Sequence, residues 1–281
     1  IEYGIMQLIA ETYDLMKRGL GLTDDELHSV YEQWNQGEIN SFLMEITSQI
    51  FVKVDEQTGK RLIDEILDEA KQKGTGKWAS QDAMELQVPI PTIDAAVSAR
   101  DLSAYKAERE KGSQRLTGPA AALKEDRNIF LKQLRDAFYG AMIITYAQGM
   151  ALLTRASRDH HYDLVLEDIA AIWRGGCIIR AALLKRIRAA YQENADLPNL
   201  LLGGLGEEVT QRQGDLRAVV EAAARAGIPV PALMASLAYF DGYRSAWLPA
   251  NLTQAQRDYF GAHTYERVDA KGVFHTQWER G

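Results

Sequence analysis

Three short strings in this chain occur twice, in the same order, about 140 residues apart. Tyr3-Gly4-Ile5-Met6 returns as Tyr139-Gly140-Ala141-Met142, Trp34-Asn35-Gln36-Gly37 as Trp173-Arg174-Gly175-Gly176, and Val88-Pro89-Ile90-Pro91 as Ile228-Pro229-Val230-Pro231. The shifts are 136, 139 and 140 residues (139 − 3, 173 − 34, 228 − 88). A solenoid repeats every 20–50 residues or so, which is far too short a period. The expectation is two similar bundles, about 1–110 and about 136–245, packed as one domain over 1–245, with a tail over 246–281. At 281 residues the chain is close to the largest size that one core supports, roughly 250–300 residues.

The repeated material has helical spacing. Ile5, Leu8, Ile9, Tyr13 and Met16 fall on one stripe of IEYGIMQLIAETYDLM. Thr23-Asp24-Asp25-Glu26 has the form of a capping box and opens the run carrying Leu27, Val30, Tyr31 and Trp34. Long amphipathic stretches follow at about 123–158 and 163–194, and a brief hairpin around 52–62 is the one strand expected. The predicted class is all-α. No Ser, Thr, Asp or Asn caps the first stripe, so its helix is expected to begin upstream of Ile1, in a longer protein.

Composition narrows the function. A net charge of −7 argues against nucleic acid as a partner and means that an anionic ligand needs locally clustered cations. The single cysteine, Cys177 in GGCIIR, allows no internal disulfide and fits a reducing, cytoplasmic setting, where it reads as a small core residue. No apolar run reaches the roughly 18–20 residues of a membrane span, and no signal peptide is recognisable. His160-His161 is a poor metal pair, because adjacent helical side chains point apart, and no metal is expected.

Residues 72–78, QKGTGKW, place bare backbone N–H groups beside lysines, as a phosphate-holding turn requires. The pattern G-x-x-x-x-G-K-[ST] fails here: Lys71 stands where Gly is needed, and Trp78 where Ser or Thr is needed. The repeat supplies a control. Polar groups found in one copy alone are not demanded by the shared fold. Glu2 corresponds in the other copy to Phe138, Lys73 to Gln213, Thr75 to Asp215 and Arg100 to Phe240, whereas Gly74 is matched by Gly214. A site in the first copy is therefore expected, with Gly74 in a backbone role common to both. Trp34 and Trp173, being duplicated, are assigned to the core. The tail has no counterpart in the first half, and its Trp247, Tyr259, Phe260, Tyr265, Phe274 and Trp278 call for a surface to bury against.

IEYGIMQLIAETYDLMK, QKGTGKW, IWRGGCIIR, LPANLTQAQRDYFGAHTYE and VFHTQW closely resemble the C-terminal helical domain of the 6-phosphogluconate dehydrogenase family. The resemblance runs over the whole chain; Lys71 departs from the small residue that relatives usually carry there. It implies oxidation of 6-phosphogluconate by NADP, then loss of CO2 to give ribulose 5-phosphate, in the pentose phosphate pathway and in gluconate utilization. It implies that Lys73 and Thr75 bind the substrate phosphate, assisted by Tyr3 and Arg100. Arg257 and His263 would reach the neighbouring subunit's site in a homodimer, and Glu2 would act as general acid toward an enediol intermediate. For that role Glu2 would need a raised pKa. The family's catalytic lysine and its dinucleotide-binding domain lie outside this chain, so the chain alone is expected to be inactive and NADP to be held mainly elsewhere. Two rival readings are a helical scaffold with a degenerate site and a hydroxyacid dehydrogenase with a different substrate.

Overall fold

A computed structural model describes residues 1–278, and the fold is all-α. The helices are α1 (Glu2–Asp14), α2 (Asp24–Trp34), α3 (Phe42–Ile50), α4 (Thr75–Glu85), α5 (Pro91–Ser103), α6 (Lys106–Arg115) and α7 (Arg127–His160). They continue with α8 (Leu166–Ile172), α9 (Leu183–Glu193), α10 (Gly204–Ala226), α11 (Pro231–Tyr243) and α12 (Ala250–Gly261). Contacts divide the chain into two compact units, Ile1–Tyr239 and a second beginning at Phe240.

The first unit is built around α7, on which Phe130, Leu134, Phe138, Ile143 and Tyr146 are wholly buried. This helix is long and apolar enough to cross a membrane, contrary to the reading of the apolar runs. Its most apolar window is nonetheless 78% buried within the fold, as befits a core helix. The expected capping box is present: Glu26 N–H donates to Thr23 Oγ1 (3.3 Å) and Thr23 N–H donates to Glu26 Oε2 (2.8 Å).

The two halves of this unit complete one another through paired contacts. Phe42 N–H donates to Arg180 C=O at 2.9 Å, and Ala182 N–H donates to Asn40 C=O at 2.8 Å. Adding 140 to the first-half residue of either bond and subtracting 140 from its second-half residue gives the other bond (42 + 140 = 182, 180 − 140 = 40). The starts of α5 and α11 show the same exchange. The Glu11 carboxylate on α1 accepts from Ala232 N–H (2.7 Å) and Leu233 N–H (2.9 Å) in the first turn of α11. Gln148 Oε1 on α7 accepts from Thr92 N–H (3.1 Å) in the first turn of α5. Each acceptor satisfies donors that have no partner within their own helix.

Several expectations need correction. The 163–194 stretch is two helices, because Gly175 and the left-handed Gly176 (φ 92°) break it and let Ala181 reach Ser41. The 52–62 hairpin shrinks to one bridge, Val54 with Arg61, while the tail forms an unanticipated antiparallel pair, Tyr265–Glu266 with Val273–Phe274. Trp34 is core, but Trp173 sits at the end of a seven-residue helix and is only half-buried, as is Cys177. Gly74 and Gly214 do not share a backbone role: Gly74 is left-handed (φ 107°) ahead of α4, whereas Gly214 lies inside α10.

Candidate active site

The QKGTGKW turn is the start of α4. Gly74 occupies the N-cap in a left-handed conformation that strains any residue with a Cβ, and no side chain caps the helix. The first intrahelical bond runs from Trp78 N–H to Gly74 C=O (2.9 Å), so the N–H groups of Thr75, Gly76 and Lys77 have no acceptor within the helix. These donors lie at the positive end of the helix dipole, which is an anion-binding geometry. Lys73 and Thr75 flank the turn, both exposed.

Tyr3, in the first turn of α1, joins this turn to Arg100 on α5. The Tyr3 ring lies against Gly76: a Cβ there would fall 2.3 Å from Tyr3 Cε2 and 2.4 Å from Cδ2. On the ring, the Arg100 guanidinium stacks 3.5 Å from the centroid, and its Nη2 approaches Met6 Sδ at 3.3 Å. Tyr3 is 8% exposed and packs with Ala96 and Val97, so it is a fixed platform for a half-exposed cation. Tyr3, Gly76 and Arg100 are thus brought together, with Lys73 and Thr75 beside them. Glu2 precedes Tyr3 in the same turn, half-buried.

This contact carries a prediction. Gly76→Ala inserts a methyl group into the Tyr3 ring, and overpacking of this kind costs about 1–3 kcal/mol. Thermal melting of the chain should fall accordingly; an unchanged melting temperature would mean that the ring does not rest on Gly76.

At the corresponding place in the second half the cations are already neutralised. Arg212, from α10, lies 4.9 Å over the Tyr139 ring and bonds to Glu38 (3.1 and 3.2 Å), while Arg186 pairs with Glu208. Helix α10 runs unbroken from Gly204 to Ala226, so no open helix start exists beside Gly214.

Arg257 and His263 belong to the second unit, both exposed near the end of α12. Gln254 links them: its Oε1 accepts from Arg257 Nη1 (3.1 Å) and its Nε2 donates to Thr264 C=O, one residue after His263. His263 meets Phe260 edge-on at 5.8 Å. The organiser of this unit is Asp258, which sequence reasoning missed. Its buried carboxylate accepts from Thr264 N–H, His275 Nδ1, Thr276 N–H and Trp278 Nε1. Burial pushes its pKa up, but these donors outweigh burial and hold it well below the usual range. The signal was a lone Asp amid Thr, His and Trp residues, which names no partners. Among the described residues, no group of three or more His, Cys, Asp or Glu is placed to hold a metal.

The family described as "6-phosphogluconate dehydrogenase, C-terminal domain" matches residues 1–278. The chain belongs to the 6-phosphogluconate dehydrogenase family. It is 52% identical over 280 residues to the NADP(+)-dependent, decarboxylating 6-phosphogluconate dehydrogenase of Bacillus subtilis, a match covering 99% of this chain and 60% of that protein. It is 54% identical to the decarboxylating enzyme of Synechocystis, over 99% of this chain and 58% of the relative. The Plasmodium falciparum 6-phosphogluconate dehydrogenase, solved apo, with NADP+ and with 6-phosphogluconate, superposes with a TM-score of 0.94 at 45% identity, over 99% of this chain and 60% of that one. The chain therefore spans about three fifths of the length of these family members.

Proposed function

We propose that this chain is the substrate-binding and dimerisation part of a cytoplasmic, NADP-dependent, decarboxylating 6-phosphogluconate dehydrogenase, and that about 1–110 and 136–245 are two copies of one helical bundle. The observation that carries the reading is the uncapped start of α4, flanked by Lys73 and Thr75 and buttressed through Tyr3 by Arg100. A phosphate dianion matches this set: an ammonium, a guanidinium fork, a hydroxyl and free backbone donors. Reciprocal bonds at an offset of 140 residues support the two-copy reading.

In this proposal Lys73, Thr75 and Arg100 fix the phosphate end of the substrate and so set the position of its carboxylate end. Oxidation of a hydroxyl β to that carboxylate gives a ketone, and CO2 leaves as the C–C electron pair moves toward the ketone oxygen. Glu2 then delivers a proton to the carbon that lost CO2, while the hydroxyl on the former ketone carbon gives up its proton and becomes the carbonyl of the 2-ketose. NADP would supply the hydride acceptor for that oxidation. The described residues hold one two-stranded sheet and no G-x-G-x-x-G following a strand, so they do not fit the dinucleotide cradle. Arg257 and His263 act in the partner's site of a homodimer. Their exposure, together with that of Phe260 (72%) and Leu252 (62%) on the same helix, supports a tail built to be covered.

Calorimetry of the full-length enzyme with 6-phosphogluconate tests the reading. Lys73→Ala and Arg257→Ala should each weaken binding by about 1.5–3 kcal/mol, roughly 10–150-fold. Binding that is undetectable in the unaltered enzyme would favour a scaffold with a degenerate site, and unchanged affinity in both variants would remove the phosphate site.

A further inference from the structure

We propose that Gln72 and Asp101 form a positioning clasp that keeps the Lys73–Thr75 turn unwound and in register with Arg100; this rests on the phosphate site proposed above. Residues 64–73 read DEILDEAKQK, which are mostly good helix formers, and the segment 140 residues further on is helical throughout as the start of α10. In the first half only Leu62–Glu65 forms a 3-10 turn, and residues 66–73 are not helical.

Three ties at alternate residues hold this strap along the end of α5 and the start of α6. The Asp68 carboxylate accepts from Lys106 Nζ (2.5 Å) and Arg109 Nη1 (2.9 Å). Ala70 N–H donates to Ser103 Oγ (2.9 Å), and Gln72 Nε2 donates to Asp101 Oδ1 (2.6 Å). As the strap ascends through 68, 70 and 72, its partners descend through 106, 103 and 101. The last tie joins the residue before Lys73 to the residue after Arg100, so it is the shortest link between the two cations. The Gln72 amide has one workable orientation, because turning it would set Oε1 against the Asp101 carboxylate; that Oε1 is buried without a donor of its own.

Releasing the clasp lets the strap follow its propensity and extend α4 backward through Gly74. The N–H groups of Thr75, Gly76 and Lys77 would then bond to carbonyls of the new turn and no longer face an anion. Asp101 is thus an acid beside a cation site whose role is to accept from Gln72.

The test is steady-state kinetics of the full-length enzyme carrying Asp101→Ala, Asp101→Asn or Lys73→Ala, with inorganic phosphate as competing inhibitor and thermal melting as control. Asp101→Ala should raise KM for 6-phosphogluconate and Ki for phosphate about 10-fold, the scale of one lost hydrogen bond, with kcat and melting temperature little changed. Asp101→Asn keeps the acceptor and should restore both constants. If Lys73→Ala raises KM while Asp101→Ala leaves it unchanged or lowers it, the clasp is wrong and the phosphate site stands. Asn behaving like Ala would likewise overturn the clasp. If Lys73→Ala has no effect on KM, the underlying phosphate site is wrong, and the clasp falls with it.

Discussion

Glu2→Gln in the full-length enzyme is expected to lower kcat by about 10²–10⁴, the usual share of a positioned general acid, while KM for 6-phosphogluconate stays within a few-fold. Glutamine has nearly the shape of glutamate and keeps the half-buried place beside Tyr3, but it has no carboxyl proton to give. The loss should fall on the proton transfer after CO2 has left, so release of the ketose should slow more than the first oxidation. Single-turnover measurement of coenzyme reduction against ketose formation separates the two. Equal kcat in the variant would assign Glu2 to surface charge at a helix start.

Removing Glu11 should damage the fold as much as removing Glu2 damages the chemistry. Glu11 is 2% exposed, and its carboxylate is the acceptor for two backbone donors of α11. Glu11→Ala leaves both buried and unpaired at about 1–3 kcal/mol each, so the expected loss is about 2–6 kcal/mol by urea unfolding of this chain. The pH dependence follows from the same burial. Desolvation pushes Glu11 up to about 7 against the opposing pull of the Ala232, Leu233 and Gln7 donors. A folded pKa above the unfolded one means that the folded state holds the proton more tightly. That contribution is full below about 4.5 and is lost as pH rises through about 7. Relative to Glu11→Gln, whose side chain does not titrate, the unaltered chain should therefore lose stability between about pH 5 and 8. A difference that stays constant over that window would contradict the assignment.

What was legible in the sequence was whatever is decided by a few adjacent residues. The Thr23–Glu26 box announces α2 because both of its bonds close within four residues. Gly74 marks the α4 start because its left-handed backbone disfavours a side chain. The strap at 66–73 was illegible because its own residues favour helix, and the ties that overrule them come from residues 29–41 positions later. Comparing the copies singled out Arg100 but not Tyr3, which recurs as Tyr139. The structure explains why: Tyr139 also carries an arginine, but Arg212 arrives from α10 rather than from α11. A residue-by-residue offset cannot register a role taken over by a different helix. The tail's aromatic residues were visible, but not Asp258, whose four donors are gathered by a turn and a strand pair that local composition did not announce.

The crossed bonds of Glu11 with α11 and Gln148 with α5 bear on how such a chain is inherited. A gene for one half alone would encode a polypeptide with an acceptor to offer and a bare helix start to fill, and its nearest remedy is a second molecule of itself. Were two such halves fused, each would be free to drift only where the other does not lean on it. On the two-copy reading proposed above, sequence change around the turn near Gly74 would be open to selection for substrate, while the crossed caps would remain a joint obligation of both halves.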